Sequence, residues 1–245
     1  MGDKALLSTE EASGAEKAEL LIVIPAYNEA ENIERVVNHL TANFPQYDYV
    51  VVNDGSRDET AAICQRNGYN LLNLPVNLGL AGAFQAGLKY ADKYGYQYAV
   101  QLDGDGQHRP EYLESMIKKM EEGYDIVIGS RFVGEKKPFT MRMLGSNLIE
   151  MAIRFTTGVN IKDPTSGMRM FSKRMIREFA SGLNYGPEPD TVSYLIRQGA
   201  RVAEVPVIMD ERILGVSYLT PVNAMRYMLK MLISILLIQN FRKRR

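Results

Sequence analysis

Three short apolar runs near the start of this chain each stop at a polar loop and hand over to a helical pattern. Leu20-Leu-Ile-Val-Ile ends at Pro25, followed by Ala26-Tyr27-Asn28-Glu29 and an amphipathic helix predicted from about Glu31 to Asn43. A second run, from Tyr49, ends in Asn53-Asp54-Gly55-Ser56, where Ser56 and Glu59 are spaced as a capping box for the next helix. A third, Tyr69 to Asn73, leads through Asn77-Leu78-Gly79 into the small residues that open another helix. Strand–loop–helix units of this kind build a mainly parallel sheet covered on both faces. Right-handed crossovers then bring the strand-end loops to one sheet edge, where open α/β sheets bind ligands. The predicted class is α/β, with a Rossmann-like, mostly parallel central sheet and helices on both faces.

A fourth apolar run, Tyr98 to Leu102, ends in Asp103-Gly104-Asp105-Gly106-Gln107-His108. In an extended segment residues i and i+2 point the same way, so two carboxylates would share one direction. Such a pair can grip one hard cation, and Mg²⁺ is commonly held by one or two carboxylates plus substrate phosphates. An enzyme whose leaving group is a nucleoside diphosphate needs that arrangement. The bland alternative is a plain Asp-Gly turn. Further strands are predicted at Asp125 to Ile128, Met168 to Phe171 and Val202 to Ile208, with a helix from about Thr191 to Gln198.

The ordered set Pro25-Ala-Tyr-Asn-Glu29, Asn53-Asp-Gly-Ser56, Asn77-Leu-Gly79, Asp103-Gly-Asp105 with Gln107-His108, Gly129-Ser-Arg131, Asp163-Pro-Thr-Ser166-Gly167-Met-Arg169, and Arg212 with Gly215 and Ser217 spans nearly the whole chain from Leu20 onward. It resembles the family 2 glycosyltransferases of GT-A fold, and within them the dolichyl- or polyprenyl-phosphate glycosyltransferases. The resemblance implies inverting, metal-dependent transfer of a sugar from a UDP- or GDP-sugar to a polyprenyl or dolichyl phosphate. A sugar hydroxyl of a surface glycan is the alternative acceptor, and a catalytically inactive nucleotide-binding protein a further alternative. It places the base between the Pro25-to-Glu29 loop and Asp54, with Tyr27 offering a ring edge, Glu29 an acceptor and Gly79 close backbone approach. Glu29 could equally be a first-turn charge favoured by the helix dipole.

Asp103 is assigned to the ribose or metal side and Asp105 to direct ligation of Mg²⁺ or Mn²⁺, with Gln107 and His108 orienting phosphate or sugar. Arg131 can reach a phosphate or carboxylate in bidentate fashion. The polar stretch Phe132 to Thr140 reads as a loop closing on substrate, or as an exposed connector. The family places acceptor and donor-sugar contacts in the Asp163, Ser166 and Arg169 segment. Many lipid-phosphate members carry an acidic residue where Gly167 stands, so this chain departs from them at the position of a potential base. Glu188 or Asp190 could supply that base at a helix N-terminus, or Asp190 could simply cap the helix. Arg212 is expected to clamp a diphosphate or acceptor phosphate, with Ser217 in the same loop.

Lys and Arg balance Asp and Glu at 29 each, so no bulk field draws the chain to nucleic acid or membrane. The single Cys64 cannot form an internal disulfide, which fits a reducing cytoplasm. A dehydrogenase would want Gly-x-Gly-x-x-Gly after the first strand; a sugar nucleotidyltransferase usually starts with a Gly-rich basic loop. Neither is present. The expected organisation is a loose or helical arm at 1–19, a catalytic domain at 20–221 (nucleotide half about 20–131, acceptor half about 132–221) and a C-terminal amphipathic helix with basic tail at 222–245. Residues 1–19 lack the apolar core of a secretory signal. The stretch Met225 to Phe241, followed by Arg242-Lys-Arg-Arg245, holds an apolar run too short to span a bilayer. It is expected to lie on the inner face of the membrane, the alternative being a core or homo-oligomer interface helix.

Overall fold

The structure, a computed structural model, describes residues 19–135, 137–138, 140–181, 186, 188–210 and 221–241. Seven strands form one sheet: β1 (Leu20–Ala26), β2 (Asp48–Asp54), β3 (Leu71–Leu74), β4 (Tyr98–Gln101), β5 (Ile126–Ser130), β6 (Arg169–Ser172) and β7 (Val202–Pro206). Their order is β3-β2-β1-β4-β6-β5-β7. β1, β2, β3 and β4 run parallel to one another, as do β5 and β7. β6 is antiparallel to both neighbours.

The apolar runs form strands because both faces of the sheet are covered. Leu21 and Val23 of β1 join one core, while Leu20, Ile22, Ile24 and Ala26 join the other. All are at most 1 % exposed. Each large aliphatic side chain buried this way contributes about 1.5–3 kcal/mol. Helices α1 (Ile33–Asn43), α2 (Thr60–Arg66) and α4 (Leu113–Glu121) cover the second face. Helices α3 (Gly79–Tyr94), α5 (Met141–Thr157), α6 (Lys173–Ala180), α7 (Pro189–Arg197) and α8 (Pro221–Leu236) cover the first. Among the described residues no helix is long and apolar enough to cross a membrane.

Two local expectations are corrected. Ser56 and Glu59 do not form a capping box: α2 starts at Thr60, and its N-cap Glu59 makes no side-chain cap bond. Ser56 Oγ instead accepts the Asn28 N–H at 3.0 Å, and Asp58 Oδ1 accepts the Thr60 N–H at 3.0 Å. The fourth strand ends at Gln101, so Asp103 and Asp105 do not lie on an extended segment. They sit in a turn closed by the Gly106 N–H on the Asp103 carbonyl at 3.2 Å.

Helix α3 lies close on β1 at Gly87, where an added Cβ would stand 2.2 Å from Cγ1 of the fully buried Val23. Val23 is β-branched and has little freedom to turn aside. Gly87→Ala is expected to lower unfolding stability by about 1–3 kcal/mol, the usual cost of overpacking. A lower urea midpoint at unchanged slope would show it.

Candidate active site

The C-terminal ends of β1, β2 and β4 carry three loops, and hydrogen bonds tie the first two together. Asn28 adopts a left-handed φ of 56°, which Asn tolerates better than most side chains. Its Oδ1 accepts the Arg57 N–H at 2.9 Å. Thr60 Oγ1 accepts the Glu29 N–H at 2.9 Å, and Asp58 Oδ2 accepts the Ala30 N–H at 3.1 Å. Burial pushes the Asp58 carboxyl up, but the bonds from Thr60 and Ala30 outweigh it and hold the group below its usual range. Across the next crossover, Asp54 Oδ1 accepts the Leu78 N–H at 2.7 Å. Gly55 is obligatory in this fold: it has φ of 65°, and a Cβ there would stand 2.7 Å from the Asn77 backbone N.

These loops wall a cleft of about 540 Å³ lined by Pro25, Tyr27, Glu29, Asp54, Gly79 and Asp105, among others. Asp103 and Gln107 line it too, and both also line a second cavity of about 550 Å³. The two spaces therefore meet at the Asp103 loop. Glu29 is braced by Asn32 Nδ2 at 2.9 Å, and the Asp105 carbonyl accepts Arg35 at 2.9 Å. Asp103 is held from both sides. Its Oδ1 accepts Gln101 Nε2 at 2.9 Å, and its N–H donates to His108 Nδ1 at 3.0 Å. That bond requires an unprotonated Nδ1, so the ring proton sits on Nε2, 3.6 Å from Asp103 Oδ2.

The second cavity is lined by Arg131, Ser166, Gly167, Arg169, Glu188 and Tyr227 among others. Arg131 does not stand free for a phosphate. It holds Asp163 in a bidentate pair, Nε to Oδ2 at 2.7 Å and Nη2 to Oδ1 at 2.8 Å. Asp163 has no exposed surface and does not line the cavity, so the expected acceptor contact is replaced by support of Arg131. Ser166 Oγ donates to the Gly129 carbonyl at 2.5 Å. A Cβ at Gly167 would stand 3.1 Å from His108 Cε1 and 3.3 Å from Asp103 Oδ2. An acidic side chain at Gly167 would crowd the Asp103 carboxylate.

Glu188 and Asp190 separate by what holds them. Glu188 faces the cavity, and its Oε2 accepts a short bond from the Tyr227 hydroxyl. Burial pushes the Tyr227 phenol far above its ordinary range, helped by the Glu188 charge, so it stays a donor. Asp190 is outside the cavity lining and accepts Ser234 Oγ at 2.6 Å. Arg169 is 3 % exposed; burial pushes its guanidinium down, while Tyr227, Glu188, Asp163 and Asp190 pull it up. Its Nη2 donates to the Pro164 carbonyl at 2.6 Å, but its Nε has no hydrogen-bond partner. Arg212 and Ser217 lie outside the described residues. Asp210, just before them, is tied to the Asp103 loop: Arg109 pairs with its carboxylate, and its N–H donates to the Gln107 carbonyl at 2.9 Å. Sequence reasoning missed Gln101 and Tyr227, which both line the second cavity.

The family profile described as glycosyl transferase family 2 matches residues 21–179. The chain belongs to this family. It is 32 % identical over 223 residues to a polyprenol monophosphomannose synthase of Mycolicibacterium smegmatis, covering 86 % of this chain and 84 % of that one. An undecaprenyl-phosphate mannosyltransferase of Micrococcus luteus is 31 % identical over 81 % of this chain and 86 % of its own. In fold, the glycosyltransferase is similar to glucosyl-3-phosphoglycerate synthase of Mycobacterium tuberculosis, solved with Mn²⁺, UDP and phosphoglyceric acid: TM-score 0.63, 20 % identity, 92 % of this chain and 79 % of that one. The GT-A expectation for the fold thus holds.

In this glycosyltransferase the Arg131–Asp163 pair fixes the floor between β5 and the Ser166 turn. Asp163 is fully buried, while Arg131 keeps some exposure, so losing the carboxylate costs its hydrogen bonds more than a stranded charge. Asp163→Asn is expected to cost about 1.5–3 kcal/mol of unfolding stability, measured by urea titration, with Asp163→Ala at least as damaging.

Proposed function

We propose that this glycosyltransferase moves a sugar, with inversion, from a UDP- or GDP-sugar to a polyprenyl or dolichyl phosphate. The observation that carries the reading is the confluence of two cavities at Asp103 and Gln107. One has the strand-end walls of a nucleotide site; the other reaches α8 at Ala224, Tyr227 and Met228. A donor spanning both would set its diphosphate at the Asp103 turn and its sugar in the second cavity. The names of the Mycolicibacterium and Micrococcus relatives point to lipid-phosphate acceptors.

A divalent metal, Mg²⁺ or Mn²⁺, fits the donor set. Asp103 and Asp105 are hard oxygen donors in one turn, and both line the nucleotide cleft. Among the described residues no cluster of three or more His, Cys, Asp or Glu could hold a metal. The substrate phosphates would therefore supply the remaining ligands, as is usual for Mg²⁺. The bound ion would neutralise charge building on the leaving diphosphate. Glu29 and Asp54 would meet the base, and Gln107 would contact phosphate. A phosphate acceptor is already anionic and needs little base catalysis, which suits a Glu188 engaged by Tyr227 and an Asp190 engaged by Ser234.

The outer faces of α5 and α8 support a lipid acceptor. Leu144, Leu148, Met151 and Phe155 recur along one face of α5 and are 43–86 % exposed. Met225, Leu229 and Ile233 do the same on α8, beside the exposed Arg226 and Lys230. The helices pack closely: a Cβ on Gly145 would stand 2.8 Å from Met228 Cγ. An apolar face with basic flanks lies well at an anionic lipid surface, on the inner side of the membrane in a cytoplasmic protein.

The reading is tested by incubating the protein with Mn²⁺, a short polyprenyl phosphate and radiolabelled UDP-glucose, UDP-N-acetylglucosamine or GDP-mannose. Label should enter the lipid fraction with one donor. EDTA, or Asp105→Asn at unchanged far-UV circular dichroism, should abolish it; full transfer without metal overturns the metal-dependent reading. The full-length protein should also pellet with anionic liposomes. Salt should weaken the electrostatic part, screened beyond about 10 Å at 0.1 M, and leave an apolar remainder that Phe155→Ser with Met151→Ser reduces. A protein that stays in the supernatant at low salt loses the membrane reading.

A further inference from the structure

Two residues that line the second cavity each carry a buried polar atom without a partner, and the two residues stand opposite each other across the sheet. Gln101 is the last residue of β4 and Arg169 the first of β6. The antiparallel register Tyr98↔Ser172, Ala99↔Phe171, Val100↔Met170, continued by one residue, sets Gln101 directly opposite Arg169. Directly opposite side chains share a face, with Cβ atoms roughly 5 Å apart. Gln101 is 1 % exposed and Arg169 3 %, and both line the second cavity. Gln101 Nε2 is committed to Asp103, which accepts only, so Oε1 is the end left over. Gln101 Oε1 and Arg169 Nε are both without a hydrogen-bond partner.

A ligand that completes this pair must accept from Arg169 and donate to Gln101. A phosphate oxygen accepts only. It would leave Gln101 Oε1 bare and add a third negative charge to those of Asp103 and Glu188. An alkyl chain does neither. A hydroxyl does both. The pair also lies one hydrogen bond from Asp103, where the nucleotide cleft and the second cavity meet. That is where the ring of a transferred sugar would sit once its diphosphate is at the Asp103 turn.

We infer that Gln101 and Arg169 form a cross-strand hydroxyl-reading pair that selects the donor sugar, with Gln101 as a specificity-determining residue. The inference rests on the donor reading above and adds the part of the donor that is read. A site built to bond a hydroxyl discriminates strongly against the analogue lacking it, because its own buried groups are then unpaired.

The test is calorimetric binding without acceptor, in the presence of Mn²⁺, so that only a donor hydroxyl can respond. UDP-glucose, UDP-N-acetylglucosamine and GDP-mannose are compared with UDP and GDP. At least one sugar nucleotide should bind more tightly than its own diphosphate, and in Gln101→Leu that advantage should fall about tenfold or more; taking each sugar nucleotide against its own diphosphate cancels any loss at Asp103, which Gln101 also holds. Monodeoxy analogues of that sugar nucleotide on the wild type should show one position whose removal costs a similar factor, and Gln101→Leu should be indifferent to it. The monodeoxy series needs no variant, so it can overturn the inference even if Gln101→Leu fails to fold, and Gln101→Glu, which keeps the shape, then assigns the sensitive hydroxyl. The inference is overturned if no sugar nucleotide exceeds its diphosphate, if no single hydroxyl matters, or if Gln101→Leu weakens sugar nucleotide and diphosphate alike. Failure of the wild type to bind any diphosphate is a different result: it removes the donor reading, and this inference with it.

Discussion

β6 enters the sheet between β4 and β5 against the direction of both. Its N-terminal end therefore lies at the edge where the parallel strands finish. This reversal brings the Asp163-to-Arg169 segment against the Asp103 turn without a long connection. Gly167 fits there against His108 and Asp103, and Arg169 comes to face Gln101. A parallel β6 would have delivered the same residues to the opposite edge. The second cavity exists because one strand runs backwards, and its meeting with the nucleotide cleft follows from the same fact.

All seven strands were legible, because a strand buried on both faces writes an apolar run that polar loops punctuate sharply. Leu20 to Ile24 and Tyr49 to Val52 are the clearest. The direction of β6 was not legible, since a four-residue strand carries no directional signal. Helices α4, α5 and α6 were not singled out. The outer face of α5 is itself apolar, with Leu148, Met151 and Phe155 exposed, so it lacks the polar stripe that marks a surface helix. The capping box failed for a different reason. Ser56 and Glu59 had the right spacing, but Ser56 was claimed by Asn28 from the neighbouring loop, and long-range bonds carry no local spacing.

The candidate site divides along the same line. Residues at the ends of β1, β2 and β4 were findable because topology gathers strand ends, and Pro25, Tyr27, Glu29, Asp54, Asp103, Asp105 and Gln107 now wall one cleft. Residues whose partners come from elsewhere were less legible. Arg131 was expected to reach a phosphate or a carboxylate in bidentate fashion, and the carboxylate it holds is Asp163, 32 positions away. Gln101 fell inside the run read as apolar, Tyr98 to Leu102, so its amide went unweighed. Only its facing position across β4 and β6, with both side chains buried, marks it out. Tyr227 sat in a stretch read for its hydrophobicity, so its hydroxyl went unweighed.

Helix α8 serves two surfaces at once. Its inner side gives Tyr227 to Glu188 and Ser234 to Asp190, while its outer side presents Met225 and Leu229 to solvent. The helix is thus not an appendage that can be exchanged as a module. A chimera that grafts a relative's C-terminal segment onto this catalytic core, to retarget or solubilise it, would replace one wall of the cavity in the same stroke. Recombination libraries for this enzyme would need their crossover points placed before Glu188, so that both carboxylates and their partners travel together.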